Sequence, residues 1–507
     1  MPSRNIPIQM IAHCDADGSM QPLRFRFEDA SHMLHTVQIC EVLDCRRVDY
    51  VGIEALIYLC KAVVEDMERI YELRYTVRAQ MGLISGGLLM AERIVFHIDV
   101  NSAFLSWTAA HRTQVMGDRF DLRSVPSVIA GDKKSRHSII LAKSAPAKKF
   151  GIQTGEPLGK ALEKCPNLVV AEPDYELYVT ASRSLIALLG TYSPAVEQFS
   201  IDEAWVDMTG TTGLFGPPVM AADRLRERIR RELGFTVNIG ISCNKLLAKM
   251  AGDFEKPDKT HTLFPEEIPA KLWPLPVREL FMVGRASERK LNLMGIFTIG
   301  ELANADPSML RRRLGKQGEI VWQFANGRDA GLVRPVTEPN KGYGNSFTTP
   351  RDVLDREYGH QVLLSLCETV GMRMRRDGQA GACISVHLRS SSFEDVSRQR
   401  QLATATNVTA ELYRQACQVF DALWDGKTPL RQLGVQVTRL SSGTQRQYSL
   451  FDEHDYDRLE KLDTAVDAIR EKYGEDALVR ATFLSGDTKS MAGGLSKERR
   501  TGVTKPV

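Results

Sequence analysis

Cysteine is sparse and unpatterned in this chain: nine residues, an odd number, with no C-x-x-C pair. That excludes a disulfide framework and a zinc knuckle and fits a reducing cytoplasm. No apolar run in the first hundred residues is long enough to span a bilayer; the longest lies around Ala55–Cys60. The opening decapeptide MPSRNIPIQM has no basic region followed by an apolar stretch, so no secretory signal is expected. Charge of one sign is also scarce, with 66 Lys/Arg against 63 Asp/Glu and a net charge of +3. Such a balance permits nucleic-acid binding without requiring it. There is no internal repeat. A composition of 43% hydrophobic and 25% charged residues excludes wholesale disorder and collagen-like repetition. What the chain has is length: its 507 residues suffice for roughly three or four domains.

The near-neutral total hides a split. Residues 1–90 carry 9 Lys/Arg and 12 Asp/Glu, net −3, which leaves +6 for the remainder. An acidic segment is a poor holder of a phosphate backbone. Ile6–Ala12, Leu23–Phe27, Leu34–Val42, Leu56–Val64 and Arg69–Arg78 are rich in β-branched and aromatic residues, and DADGS at Asp15–Ser19 is a turn signal. They predict a small barrel or half-open sheet in an appended module, residues 1–90. Gly82–Met90 (GLISGGLLM) reads as a joint, and Met90 as an alternative start. Cys14, Cys40, Cys45 and Cys60 lie here with His13, His32 and His35, but their spacings match no zinc pattern, and buried structural thiols are expected.

Beyond residue 90 strands and helices mix, as in an α+β fold. GLVRPVTEPNKGYG at 331–344 reads as an extended linker. Asp455–Lys472 has helical spacing, with Leu459, Leu462, Val466 and Ile469 on one face, and the end MAGGLSKERRTGVTKPV reads as disordered.

Two segments carry the first chemical signal. In IVFHIDVNSAF (Ile94–Phe104) an apolar strand ends on Asp99, and a helix capped by Asn101 or Ser102 is predicted to follow. A carboxylate ending a buried strand is costly unless cations or donors meet it. In VEQFSIDEAWVDM (Val196–Met208) two short strands flank Asp202 and Glu203. Neighbours on a flat strand point to opposite faces, so both acids converge only at a hairpin tip or bulge. Three acids at strand ends suit hard cations such as Mg²⁺. Solvated turn residues are the ordinary alternative.

IVFHIDVNSAF, KKFGIQTGEPLGKALEKCP (Lys148–Pro166), SIDEAWVDM, GISCNKLLAKMAGDFEKPDK (Gly240–Lys259) and GNSFTTPRDV (Gly344–Val353) follow one another along the chain. In this the chain resembles the Y-family DNA polymerases, in their bacterial DinB-type branch, over about residues 91–441. The resemblance implies an α+β, right-handed multidomain fold: palm 91–117 and 173–257, fingers 118–172, thumb 258–330, a linker 331–343, a little finger 344–441, and a tail 442–507. It implies error-prone, template-directed synthesis from dNTPs on primer-template DNA, without proofreading, in translesion repair. Asp99, Asp202, Glu203 and the Val100 carbonyl would hold two Mg²⁺ ions, with Glu203 at the position marked catalytic. Phe104 falls at the steric gate, Lys148 and Lys256 at triphosphate positions, and Ser102 and Ala103 beside the nascent pair. Lys148 stands where relatives often have arginine, and Ala145 where they often have tyrosine, which weakens the expected triphosphate clamp. Lys245 and Lys249 follow on a helix, either reaching phosphate or solvated.

The same resemblance makes Leu280–Ala303 a helix-hairpin-helix that offers backbone N–H groups to a DNA phosphate. Met282 occupies the first glycine position and Gly284 the second. Arg373, Arg375 and Arg376, with Arg389, Arg398 and Arg400 near strand ends, are expected to hold the DNA backbone, in a block (341–440) of net charge +3. Gln447, Leu450 and Phe451 of QYSLF resemble a sliding-clamp peptide. The expected protein is a cytoplasmic monomer with no membrane partner. A polymerase V-like subunit that needs partners, and a non-catalytic clamp- and DNA-binding scaffold, are the alternatives.

Overall fold

The computed structural model describes residues 5–14, 20–28, 34–50, 53–64, 67–76, 81–85, 93–131, 138–335, 339–442 and 456–484, together with 488, 490 and 491. The peptide at 447–451 and the end beyond 491 lie outside the described residues.

The first unit is a closed barrel of β1 (Asn5–Cys14), β2 (Met20–Glu28), β3 (Leu34–Tyr50), β4 (Ile53–Val64), β5 (Met67–Thr76) and β6 (Met81–Ser85). Alternation builds its interior: Tyr58, Cys60 and Ala62 of β4 face inward with Tyr71 and Leu73 of β5, Phe25 of β2 and Val37 of β3. The joint expected at Gly82–Met90 is in part a strand. Met81–Ser85 pairs with both β5 and β1 and closes the barrel. Those partners are remote in sequence, whereas the glycines are local, so the segment reads as a break. Cys60 is buried as expected, but Cys40 and Cys45 are exposed. The register slips between Ile39 and Glu41, so Cys40 sits on a bulge.

A five-stranded sheet follows in the order β11-β12-β7-β13-β14, with β7 (Val95–Val100) at its centre. It also contains β11 (Val196–Gln198), β12 (Glu203–Asp207), β13 (Val237–Ser242) and β14 (Thr260–Thr262). Phe96, Ile98 and Val100 face one side, where they meet α1 (Ala103–Gln114), α4 (Tyr175–Gly190) and α6 (Pro218–Leu233). A four-residue α5 (Thr212–Phe215) precedes α6. Proline starts α6 and Gly234 ends it at φ 77°, a left-handed position that glycine fills without strain. The other face carries Val95 and Trp205 against α7 (Lys245–Gly252). The helix comes so close to β13 that a Cβ on Gly240 would stand 1.9 Å from the Ala248 carbonyl oxygen. The palm boundary expected at 257 moves: β14 pairs in parallel with β13, so the sheet runs to Thr262.

Inserted between β7 and β11 is a three-stranded sheet, order β10-β8-β9, of β8 (Ser127–Ala130), β9 (Ile140–Lys143) and β10 (Val169–Ala171), with α2 (Ala145–Lys149) and α3 (Leu158–Lys164). After β14 comes a helical block: α8 (Ile268–Lys271), α9 (Arg285–Asn292), α10 (Ile299–Ala303), α11 (Pro307–Leu314) and α12 (Lys316–Ala325). The expected linker is anchored at its start. Arg93 donates to the Gly331 carbonyl at 3.0 Å, the Arg334 amide donates to Glu197 at 2.8 Å, and Val333 is buried beside Trp205.

The last unit is a four-stranded sheet, order β15-β18-β16-β17, of β15 (Gly342–Val353), β16 (Gln379–Ser390), β17 (Asp395–Thr406) and β18 (Leu430–Ser442). One face buries Ile384, Val386, Leu388, Leu433, Val435 and Val437 against α13 (Arg356–Arg376) and α14 (Thr409–Leu423). The helix expected at Asp455–Lys472 is α15 (Tyr456–Tyr473), which packs on α13. Arg375, expected on DNA, is turned inward there and largely covered. It forks onto Asp467 of α15 at 2.6 and 3.0 Å and reaches Asp463 at 3.2 Å. Its charge is spent inside the fold.

Candidate active site

The acids meet at one end of the five-stranded sheet. Antiparallel pairing sets Glu203 directly opposite Asp99, on the same face. Asp202 is the last residue of the hairpin tip between β11 and β12, and its carbonyl accepts from the Val100 amide at 3.1 Å. The tip resolves the problem of adjacent acids: Asp202 is in the turn, Glu203 in the strand. Ser200 stabilises the turn, its hydroxyl donating to Asp202 at 2.6 Å and accepting from the Glu203 amide at 3.1 Å.

Cations already serve two of the acids. Lys256 bonds Asp99 and, at 2.8 Å, Asp253. Lys249 bonds both oxygens of Glu203 at 2.9 Å. Burial pushes the Asp99 carboxyl up from its ordinary value, and Lys256 offsets this only in part. Burial pushes Glu203 up as well, but the nearby His97 imidazole and the Lys249 ammonium outweigh it and hold that carboxyl at about 2. On Lys256 burial disfavours the charge, yet Asp99 and Asp253 keep the ammonium above the ordinary lysine range.

Asp202 is the exception. Burial raises it, and the charges of Asp99 and Glu203 raise it further. Among the described residues no cationic side chain lies within ion-pair distance of it. In this arrangement no three acid or imidazole side chains of the described residues are gathered closely enough to ligate one ion. The donor chemistry nonetheless fits a hard divalent cation: all-oxygen ligands, one of them a largely buried carboxylate with no counter-charge.

The loop that carries Lys256 is tied down at several points. The Asn101 side-chain oxygen accepts from the Asp258 amide at 2.9 Å and from Thr236, and Asn238 donates to the Glu255 carbonyl at 2.7 Å. Of the two caps expected, Asn101 or Ser102, Asn101 is thus committed to this loop instead. Ser102 holds the cap position of α1, but at φ 49° and with no side-chain hydrogen bond to the helix. Ala103 is buried. Phe104 follows, partly exposed, its ring stacked on Tyr178 at 4.3 Å and 5°.

Family models match three segments of the chain: the impB/mucB/samB family over residues 98–253, the IMS family HHH motif over 265–296, and the impB/mucB/samB C-terminal domain over 340–450. A DNA polymerase IV of Clostridium acetobutylicum is 46% identical over 398 residues, 78% of this chain and 100% of that protein. One from Acetivibrio thermocellus is 37% identical, over 78% of this chain and 98% of that protein. The chain belongs to the Y family of DNA polymerases. A solved Y-family chimera of Dbh and Dpo4 shares the fold, with a TM-score of 0.58 at 21% identity, covering 68% of this chain and 98% of that one. The barrel of residues 5–85 precedes all three family segments.

Against that Y-family background, the remaining expected residues divide. Lys148 is exposed on α2, whose first turn is capped by Ser144. Lys245 and Lys249 face carboxylates rather than solvent: Lys245 bonds both oxygens of Glu197 at 3.0 Å. Gly284 caps α9, and a Cβ there would meet nothing within 4 Å. Met282 has φ 71°, the left-handed region that glycine occupies freely. Arg373 donates to the Gly344 carbonyl at 3.1 Å, and Arg376 lies 3.7 Å from Asp377. Arg398 and Arg400 turn toward α14, onto the Ala422 carbonyl and Gln418, while Arg389 forks onto Asp395. Sequence reasoning missed the Lys249–Glu203 and Lys256–Asp99 pairs; a lysine one turn after Lys245 and another beside Pro257 were their only trace. No helix of the described residues is long and apolar enough to cross a membrane.

Proposed function

We propose that the protein extends primer-template DNA with dNTPs by two-metal-ion nucleotidyl transfer, without proofreading and at low fidelity, in damage tolerance. The single observation that carries this reading is the Asp99–Glu203 pair across β7 and β12, with Asp202 bonded to Val100 beside it, in a chain of the Y family. Asp99, Asp202, Glu203 and the Val100 carbonyl would hold two Mg²⁺ ions. Divalent ions held there would acidify the primer 3′ hydroxyl and would neutralise charge on the transferring phosphate.

The chain's own residues do the rest. Lys256, anchored by its loop, exchanges carboxylate for triphosphate oxygens when a nucleotide enters, with Lys148 adding charge from α2. The Phe104 ring leaves no room for a 2′-OH, while Ser102 and Ala103 give the nascent pair space. Gly284 offers its hairpin to a DNA phosphate, and Arg373 and Arg376 remain near the surface for the backbone. Residues Gln447, Leu450 and Phe451 bind the sliding clamp, and the enzyme works as a cytoplasmic monomer.

The test is purified protein with primer-template, Mg²⁺ and dNTPs. Stepwise extension, no shortening of the primer and a high misinsertion frequency are expected. Tight DNA binding without extension would overturn this reading and leave the scaffold or a subunit that needs partners.

A further inference from the structure

Lys249 presents a conflict. A buried ammonium contacts both oxygens of an acid whose partner should be a metal, and like charges at that range repel. The position is elaborately built. Lys249 is buried on α7, with its ammonium 5.4 Å from the Phe199 ring and 5.5 Å from the Phe281 ring. Both rings are close enough for cation–π attraction. Phe199 belongs to the acid-bearing hairpin tip, and Phe281 to the turn that leads through Met282 into α9. One turn earlier on α7, Lys245 bonds Glu197 of β11 and lies 5.1 Å over the Trp205 ring. The helix is thus fastened to both strands of the hairpin.

Among the described residues, no other side chain lies within hydrogen-bond length of the Glu203 carboxylate. The nearest, His97, has its Nε2 3.9 Å from the carboxylate, beyond hydrogen-bond length, and neither of its ring nitrogens has a partner among the described residues. A carboxylate offers about four lone-pair sites. Lys249 takes one on each oxygen and leaves the others open.

We infer that Lys249, caged by Phe199 and Phe281, is the positioning residue that fixes the Glu203 carboxylate for the metal-dependent step. It trades metal affinity for orientation: its charge weakens cation binding, and its two hydrogen bonds fix the acid's direction. Because Phe281 closes the cage from the hairpin expected to grip DNA, this orientation is coupled to that hairpin's seating. The inference rests on the polymerase reading above.

The experiment compares wild type with Lys249→Met and Lys249→Arg. Single-turnover dNTP addition, dNTP KM, primer-template Kd by anisotropy, and Mn²⁺ binding to the DNA-free protein by paramagnetic resonance are measured for each. For Lys249→Met, turnover should fall by about tenfold to a hundredfold, since small misplacements of a reacting group cost that much. Its KM and DNA Kd should stay within about twofold, and Mn²⁺ should bind more tightly. Lys249→Arg should recover part of the turnover and keep Mn²⁺ affinity near wild type. Tighter metal with slower chemistry is a combination that a merely loosened fold would not give. The inference is overturned if Lys249→Met turns over like wild type, or if it loses Mn²⁺ and DNA binding together. A wild type that adds no nucleotide would instead sink the polymerase reading, while the Mn²⁺ comparison would still report on Lys249.

Discussion

Replacing Asp463 with alanine should release the α15 segment from the four-stranded unit. Val408 sits at the N-cap of α14 and has no side-chain oxygen to offer the first turn. Asp463 supplies one from a distant part of the chain: its Oδ2 accepts from the Thr409 amide at 2.7 Å and from Arg375 at 3.2 Å. Losing a cap costs about 1 kcal/mol. Removing one partner of a buried pair costs about 3–5 kcal/mol, but Arg375 keeps its fork onto Asp467, which reduces that share. A total of about 2–3 kcal/mol follows. Asp463→Asn keeps an acceptor for Thr409 and should cost about half as much. The assay is native-state hydrogen exchange across α15, with exposed Glu471→Ala as control. At about 1.4 kcal/mol per decade, the alanine variant should exchange roughly thirtyfold to a hundredfold faster than wild type. Exchange equal to that of the Glu471 control would refute the distant-cap account.

Four further outcomes are expected. Asp202→Asn should abolish primer extension but leave DNA binding intact. Because the folded-state pKa of Asp202 is raised, its ionisation opposes folding above the carboxylate range. The variant should therefore melt higher than wild type at neutral pH, with the gain disappearing in acid. Phe104→Ala should admit ribonucleotides, read as the ratio of rNTP to dNTP incorporation; unchanged sugar selectivity would remove the gate. Gly240→Ala should cost about 3 kcal/mol or more, because its Cβ meets backbone on both Ala248 and Gly252; a soluble variant melting like wild type would contradict that packing. Leu450→Ala with Phe451→Ala should lower retention by immobilised sliding clamp, and equal retention would reject the motif.

The acid-bearing end of the sheet was legible because its signals are local. An apolar run halting on Asp99 marks a buried strand with an acid at its end, and an acid pair between two short strands marks a hairpin tip. The strands of the N-terminal module were legible, and a barrel was one of two readings; the choice between it and a half-open sheet was not, since β6 is identified only by its partners on β1 and β5. Arg375 misled because three nearby arginines look alike in sequence. Asp463 and Asp467, which turn one of them inward, lie about ninety positions later. Lys249 was ambiguous for the same reason: helical spacing gives the face of a helix, not the carboxylate across from it.

The N-terminal barrel leaves no strand of its ring without neighbours on both sides. The closure is incomplete along its length, however: among the described residues β3 pairs with β2 only over Leu34–Gln38, so its Ile39–Tyr50 stretch has a partner on one side alone, a margin that an added strand could extend. Recognition by this module has that margin available to it as well as the side chains on its outer wall. Ile11, Leu23 and Val63, all exposed, are the first positions at which to look.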